Sequence, residues 1–394
     1  MPALSGKSRD TQQSGQIRRH LGITAAPGMG HRAENPYNFL LYRALDTLGR
    51  GTVAIQEYRF LARPMAGGVI HLHWPDLNWD QRSAPYAALR GALFLGQCIV
   101  WKILGNKLVW TAHNVRSHEH WHPRLAAFFW RILDHLLDGV ILLSRTSEAP
   151  VLNYHPALMR KPRRVIPHGH YQDVLVDRRT REKARIFLKV SEKGLACVYF
   201  GAIRQYKNVE GLLDAFEKMP DKGCWLIVAG KPDTEERRRQ LVERAQALPS
   251  LVLKLGRLPE EDLQAVVEAA DLVVLPYSEV LNSGSILYAL SNARPVLVPD
   301  TRMFRELAET VSPGWMQFYT GRISPEAICR AMSAVSSGLP PLSLSHFDWN
   351  AIAEQHLAFF RELLPETGDP NLSPDTIAPA HSPDYPVGGT SNRD

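Results

Sequence analysis

From residue 51 onward the chain alternates short runs of aliphatic and β-branched residues with longer stretches whose apolar positions recur every three or four residues. The short runs predict strands at residues 51–58, 69–72, 107–111, 139–143 and 164–166 in the first half. In the second half they predict strands at 196–200, 224–229, 252–255, 272–275 and 295–298. Each is followed by a turn containing Gly, Asn or Pro and then by a helical pattern, such as 209–218 or 260–269. Strand–helix alternation of this kind builds parallel sheets covered by helices. The two series break near residues 171–181, just after Pro167-His168-Gly169-His170. The expected fold is α/β: two doubly wound parallel-sheet, Rossmann-like domains facing a cleft. Ligands of such sheets collect outside the carboxyl ends of the strands, so the chemistry is expected in the loops that follow them.

The pattern also sets expected boundaries. Residues 1–33 lack apolar period, are rich in Gly, Ser, Gln and Arg, and read as a disordered leader. Residues 34–172 would form the first domain and 173–345 the second. A helix at 349–363, within a closing segment 346–364, follows them, and the Pro-, Gly- and Ser-dense stretch 365–394 reads as a disordered tail. The greasiest run, 92–104, is interrupted by Gly96, Gln97 and Lys102; it is too short to span a bilayer and reads as a buried helix. The polar, basic residues 1–20 hold no signal-peptide core.

Composition narrows the chemistry. The four cysteines form no CxxC pair and suit packing in a reducing, cytoplasmic compartment. No DxD stands in a metal-binding context, and neither metal nor other cofactor is expected. Absence of GxxxxGK[ST] and GxGxxG argues against a P-loop ATPase and a nicotinamide enzyme, and absence of GxSxG and SxxK against common serine hydrolases. The net charge of +6 divides unevenly: residues 1–172 carry +11 and residues 173–394 carry −5. One half therefore either faces something anionic or presents a solvated basic face. Nucleic acid is disfavoured, because no zinc-finger spacing, RNP1 or KH-type loop is present.

Three constellations stand at strand ends. In the first, the buried run 272–275 leads through Glu279 and Asn282 to Ser283, Gly284 and Ser285, which open a helix over 286–291. Small residues there let backbone amides approach a phosphate, although Asn and Ser also serve as ordinary helix caps. In the second, a strand ends at Gly201 and is followed by Arg204 and Lys207, a planar fork and a point charge suited to phosphate oxygens or simply to solvent. Gly230 and Lys231 end the next strand and either frame a nucleotide base or form a plain turn. In the third, His71, His73 and Asp76 follow one first-half strand, and His113, His118 and Glu119 the next. Asp76, His113 and Glu119 are of the types that accept a proton from a hydroxyl, and His71 and His73 read as hydrogen-bonded strand-end histidines. His168 and His170, between the domains, suit a hinge, a cleft wall or a phosphate contact.

Together, the two parallel-sheet halves, His113, the Gly201–Arg204–Lys207 loop and the loop running on to Ala293-Arg294-Pro295-Val296 resemble a GT-B nucleotide-sugar glycosyltransferase. The ordered motifs Asn35-Pro36-Tyr37, His71-Leu72-His73-Trp74-Pro75-Asp76, His113-Asn114 and His168-Gly169-His170-Tyr171 carry the likeness further. With Ile203-Arg204-Gln205-Tyr206-Lys207, Asn282-Ser283-Gly284-Ser285 and Pro313-Gly314-Trp315, they resemble the bacterial exopolysaccharide β-mannosyltransferases of the xanthan type, glycosyltransferase family 94. The likeness runs from about residue 35 to 364.

That resemblance implies transfer of mannose from GDP-mannose, with inversion, to a polyprenyl-diphosphate-linked oligosaccharide. The nucleotide sugar would lie on the second half. The acceptor would lie on the first, whose basic surface would meet the inner face of the cell membrane. Retaining relatives of the wider fold carry two glutamates eight residues apart; here Val280, beside Glu279, is followed by Tyr288. A UDP-sugar donor, a retaining outcome and a non-catalytic carbohydrate- or nucleotide-binding module are the competing readings.

Overall fold

A computed structural model describes residues 20–31, 36–59, 64–115, 121–176, 180–220, 223–278 and 283–364. In the first lobe the chain runs β1 (Leu21–Ala26), α1 (Pro36–Leu48), β2 (Val53–Glu57), β3 (Val69–Leu72), α2 (Ala84–Ile103) and β4 (Lys107–Ala112). It continues through α3 (Pro123–Leu136), β5 (Gly139–Leu142), α4 (Glu148–Tyr154) and β6 (Arg163–Val165). The second lobe holds α5 (Arg181–Leu188), β7 (Ala196–Phe200), α6 (Val209–Glu217), β8 (Trp225–Gly230), α7 (Glu235–Ala247) and β9 (Leu251–Leu255). Then come α8 (Glu260–Glu268), β10 (Leu272–Val274), α9 (Gly284–Ser291), β11 (Val296–Pro299), α10 (Arg302–Ala308), β12 (Met316–Tyr319), α11 (Pro325–Ser336) and α12 (Trp349–Leu363).

The strands form two six-stranded parallel sheets, ordered β2-β1-β3-β4-β5-β6 and β12-β11-β10-β7-β8-β9. Strands such as Ala196–Phe200 are buried at every position, as a sheet covered on both faces requires. Each order reverses once: between β1 and β3 in the first sheet, and between β7 and β10 in the second. The loops leaving those four strands consequently diverge and leave a crevice at each reversal.

Two strands differ from the sequence expectation. Leu21–Ala26 falls inside the stretch read as a disordered leader, yet it is a central strand of the first sheet, paired with both β2 and β3. The run LGITAA is small and lightly patterned, and its burial comes from neighbours distant in sequence. The edge strand Met316–Tyr319 is half-covered and carries Gln317, so it lacked a continuous apolar run.

The segment read as a buried helix also differs. Helix α2 buries Phe94, Cys98 and Trp101, and Gly91 lies so close to the Phe129 ring that a Cβ there would clash at 2.4 Å. Its other face, Ile103 at 78 % included, is open to solvent. No described helix is long and apolar enough to cross a membrane.

Helix α12 returns to pack along α1 of the first lobe. Phe359 and Leu363 close over Gly139, and Arg164 pairs with Glu362. The Trp349 indole donates to the His170 carbonyl at 2.7 Å, and its ring leaves no space for a side chain at Gly169. The lobes are joined a second time where Glu306 of α10 accepts from the Arg145 and Thr146 amides at 2.7 and 2.8 Å. Within the second lobe, fully buried Arg185 is neutralised by Asp271, which also accepts from the Ala196 amide that starts β7.

Candidate active site

The reversal of the second sheet gathers most of the residues singled out as phosphate-binding. Gly201 ends β7 with φ +116°, and its amide donates to Ala229 at 3.0 Å. Gly230 ends β8 with φ +150°, and a Cβ there would stand 1.8 Å from the Gly201 carbonyl oxygen. Glycine at 230 is thus required for the two loops to pack, whatever it does for a ligand. The exposed Lys231 offers its carbonyl to the Ile203 amide, which fixes the loop carrying the cations.

Arg204 precedes a short turn at Gln205–Lys207. The Lys207 ammonium lies 3.6 Å from the Tyr277 ring centroid and 5.2 Å from that of Tyr206, so two aromatic faces hold it in place. Ser278 ties the loop after β10 to this one, its amide and hydroxyl both donating to the Tyr206 carbonyl at 2.9 and 3.0 Å.

Ser285, in the first turn of α9, faces Gly201: a Cβ at Gly201 would lie 3.7 Å from the Ser285 hydroxyl. The first turn of α9 holds no acidic residue, whereas α7 opens with Glu235 and Glu236 and α8 with Glu260, Glu261 and Asp262. The positive end of the α9 dipole therefore has no carboxylate from its own turn. Its N-cap, Ser283, makes no capping bond, and its buried hydroxyl oxygen has no hydrogen-bond partner among the described residues. Glu279 and Asn282 lie outside the described residues, as does Glu119.

The reversal of the first sheet presents a different surface. Here imidazoles and phenols form one hydrogen-bonded chain. Thr111 Oγ1 bonds His71 Nε2 at 2.7 Å, and His71 Nδ1 bonds the Tyr42 hydroxyl at 3.0 Å. That hydroxyl also bonds His73 Nε2 at 2.8 Å, and His73 Nδ1 bonds His113 Nε2 at 3.0 Å. His113 is stacked on Trp74 at 4.4 Å and meets Tyr37 edge-on at 4.9 Å. Burial, reinforced by neighbouring imidazoles, holds His71, His73 and His113 well below the ordinary histidine range. Burial also lowers His168 and His356 to about 4. All five are neutral at physiological pH, and each neutral ring offers one hydrogen to give and one lone pair to receive. Tyr42 and His356 carry no motif in the sequence; only the packing of α1 and α12 against β3 brings them to the cluster.

The two surfaces meet at His168. Its ring lies 4.6 Å from that of Tyr37, and its Nε2 is 3.1 Å from the Tyr171 hydroxyl. A Cβ on Gly284 would stand 2.9 Å from that hydroxyl and 3.5 Å from His168 Nε2. His113, through Tyr37 and His168, is therefore linked by contact to the start of α9 across the two lobes. His170 lies further back, its amide donating to Phe347 and its carbonyl accepting from Trp349, where it anchors α12.

Asp76 sits in the short turn Pro75–Asn78 that leaves β3. Burial lifts its carboxyl to about 6, against an opposing bond from its own backbone, with nearby Asp80 raising it and His155 lowering it. Trp74, two residues earlier, joins this turn to His113. A carboxyl near 6 is poised to exchange a proton around neutral pH.

Known structures share this architecture. The chain superposes on the sucrose-phosphate synthase of Thermosynechococcus elongatus with TM-score 0.60 and 15% identity, over 87% of this chain and 99% of that one. It superposes on Anabaena HepE, solved in complex with UDP and glucose, with TM-score 0.55 and 14% identity, over 87% and 98%. Two parallel sheets with their reversals at one crevice are the GT-B fold. Residues 194–337 match the family described as glycosyl transferases group 1. Over 346 residues the chain is 32% identical to a GDP-mannose:glycolipid 4-beta-D-mannosyltransferase of Xanthomonas campestris pv. campestris, covering 86% of this chain and 91% of that protein. The chain belongs to the group 1 glycosyltransferase family, and it is a glycosyltransferase.

Proposed function

We propose that this enzyme transfers mannose from GDP-mannose, with inversion, to a lipid-diphosphate-linked oligosaccharide during exopolysaccharide synthesis, working at the inner surface of the cell membrane. One observation carries the reading: His168 and Tyr171 stand against Gly284, which puts an uncompensated helix start beside the imidazole cluster of the opposite lobe. The X. campestris relative's name supplies the donor and acceptor classes.

In this reading Arg204, Lys207 and the amides around Ser283, Gly284 and Ser285 receive the charge that develops on the leaving nucleoside diphosphate. Stabilising charge where it appears is the largest expected contribution to rate. Asp76 takes the proton of the acceptor hydroxyl as the new bond to the sugar forms. His113, buried, and His168, half-buried, are both neutral and bind sugar hydroxyls without adding charge. Inversion is favoured by Tyr288: retaining relatives place a glutamate at that register, whereas this phenol is buried against Tyr171 and Phe200.

The test is turnover against a panel of GDP- and UDP-sugars with a lipid-linked oligosaccharide acceptor, the product anomer read by NMR. GDP-mannose and a β product are expected. A UDP-sugar preference or an α product would overturn the assignment, and binding without release of nucleotide would point to a non-catalytic module.

A further inference from the structure

Helix α2 is the most exposed apolar element among the described residues. Tyr86, Leu89, Leu93, Ile99, Val100 and Ile103 all face solvent, and the remaining exposed positions between Ala84 and Ile103 are Ala, Pro and Gly. They recur at spacings of three and four, so they form one stripe along a helix of about 30 Å. Its two cations are only half-exposed: Arg90 lies over the Tyr86 ring, and Lys102 is bonded to Asp138. Helix α3 packs beside α2 and presents Phe128, 56 % exposed, between Arg124 and Arg131. A soluble monomer does not ordinarily leave a face of this length bare.

Charge identifies the occupant. From Ala84 to Asp138 the sequence holds six Lys or Arg and three carboxylates, Glu119, Asp134 and Asp138, the last of which pairs with Lys102 and Lys107. Asp134 is buried in its bond to His155. An apolar stripe bordered by the exposed Arg124 and Arg131 and by Trp121 and Tyr86 at one end suits the boundary between anionic headgroups and acyl chains. A partner protein would need matching carboxylates for a face this basic; an anionic bilayer supplies them everywhere.

We propose that the exposed faces of α2 and α3 are the membrane-docking surface, with α2 lying in the plane of an anionic bilayer. An open depression of about 600 Å³ joins the N-terminal ends of the two helices, lined by Ala84, Pro85, Trp121 and Pro123 among others. Both ends follow β3 and β4, so they lie on the carboxyl edge of the sheet, the edge that carries His73 and His113. Docking along α2 thus holds a lipid-borne acceptor beside the crevice. The docking face extends the proposed glycolipid acceptor, and its test reads separately from sugar transfer.

The experiment is co-sedimentation of the full chain with vesicles of phosphatidylcholine containing about 30 mol% phosphatidylglycerol, comparing wild type with Leu93→Glu/Val100→Glu/Ile103→Glu. These side chains are exposed, so thermal unfolding should be unchanged. Wild type should bind and the variant should bind at least about tenfold more weakly. Release of GDP from GDP-mannose to a short water-soluble acceptor should be the same in both. Equal binding by both proteins, or none by wild type, would overturn the proposal. A wild-type dimer in light scattering that the triple variant dissolves would assign the face to a second copy and overturn it as well. Should no nucleotide sugar be turned over while vesicle binding follows the α2 variant, the docking face stands and the transfer reading falls.

Discussion

The two chain reversals are built from opposite materials. In the first lobe the groups at the crevice are buried imidazoles and phenols, with charge suppressed by desolvation and every bond passed from ring to ring: Thr111, His71, Tyr42, His73, His113. In the second lobe they are Arg204, the Lys207 ammonium held over two rings, and a helix whose first turn has no acid. One surface is neutral and sensitive to pH; the other is positive and sensitive to anions. On the proposed function, the difference teaches how a single crevice would separate two tasks. A leaving diphosphate needs charge, whereas an acceptor hydroxyl and a neutral sugar need directional bonds that charge would disturb.

That contrast can be broken or sharpened in order of expected effect. Asp76→Asn should lower kcat by about 10²–10⁴-fold with GDP affinity retained, and should abolish an acid limb of kcat/KM near pH 6, measured in steady state. The sign is fixed: burial raises this carboxyl, so the active carboxylate is lost as pH falls through about 6. Lys207→Ala should cost about 10²–10³-fold in kcat while thermal unfolding is unmoved, since the ammonium rests on ring faces at the crevice.

Acid should act on the first lobe. His168 and His356 bind protons near 4 when folded and near 6.5 when unfolded, so the unfolded chain holds more protons between those values. Stability is therefore full above about 6.5 and falls as pH drops toward 4. Between pH 7.5 and 5 each of the two should remove about 2 kcal/mol, seen as a lower denaturant midpoint. Tyr42→Phe leaves His71 and His73 without their shared hydroxyl and should destabilise by about 1–3 kcal/mol by the same measurement.

Much of this was legible in the sequence because parallel strands covered on both faces must be apolar throughout. Val69–Leu72 and Ala196–Phe200 carry that signature in full. Leu21–Ala26 does not, since its burial is supplied by strands that come later in the chain. The candidate site divides in the same way. Gly201, Arg204, Lys207 and Ser283 to Ser285 follow strands directly, so strand-end reasoning finds them. Tyr42 joins the imidazole chain and His356 rests against its His71 ring, both from helix faces, and helix periodicity records only that such positions are covered. The exposed face of α2 was read as buried because periodicity counts apolar residues without saying whether a second layer covers them.

The central claim is that the second lobe's cations and α9 grip the nucleoside diphosphate while the first lobe's neutral cluster does not. Calorimetric titration of GDP into wild type, Lys207→Ala and Tyr42→Phe tests it directly. The account predicts affinity about ten- to a hundredfold weaker for Lys207→Ala, the loss of one charge-assisted contact, and within about twofold of wild type for Tyr42→Phe. Wild-type affinity in Lys207→Ala would contradict it.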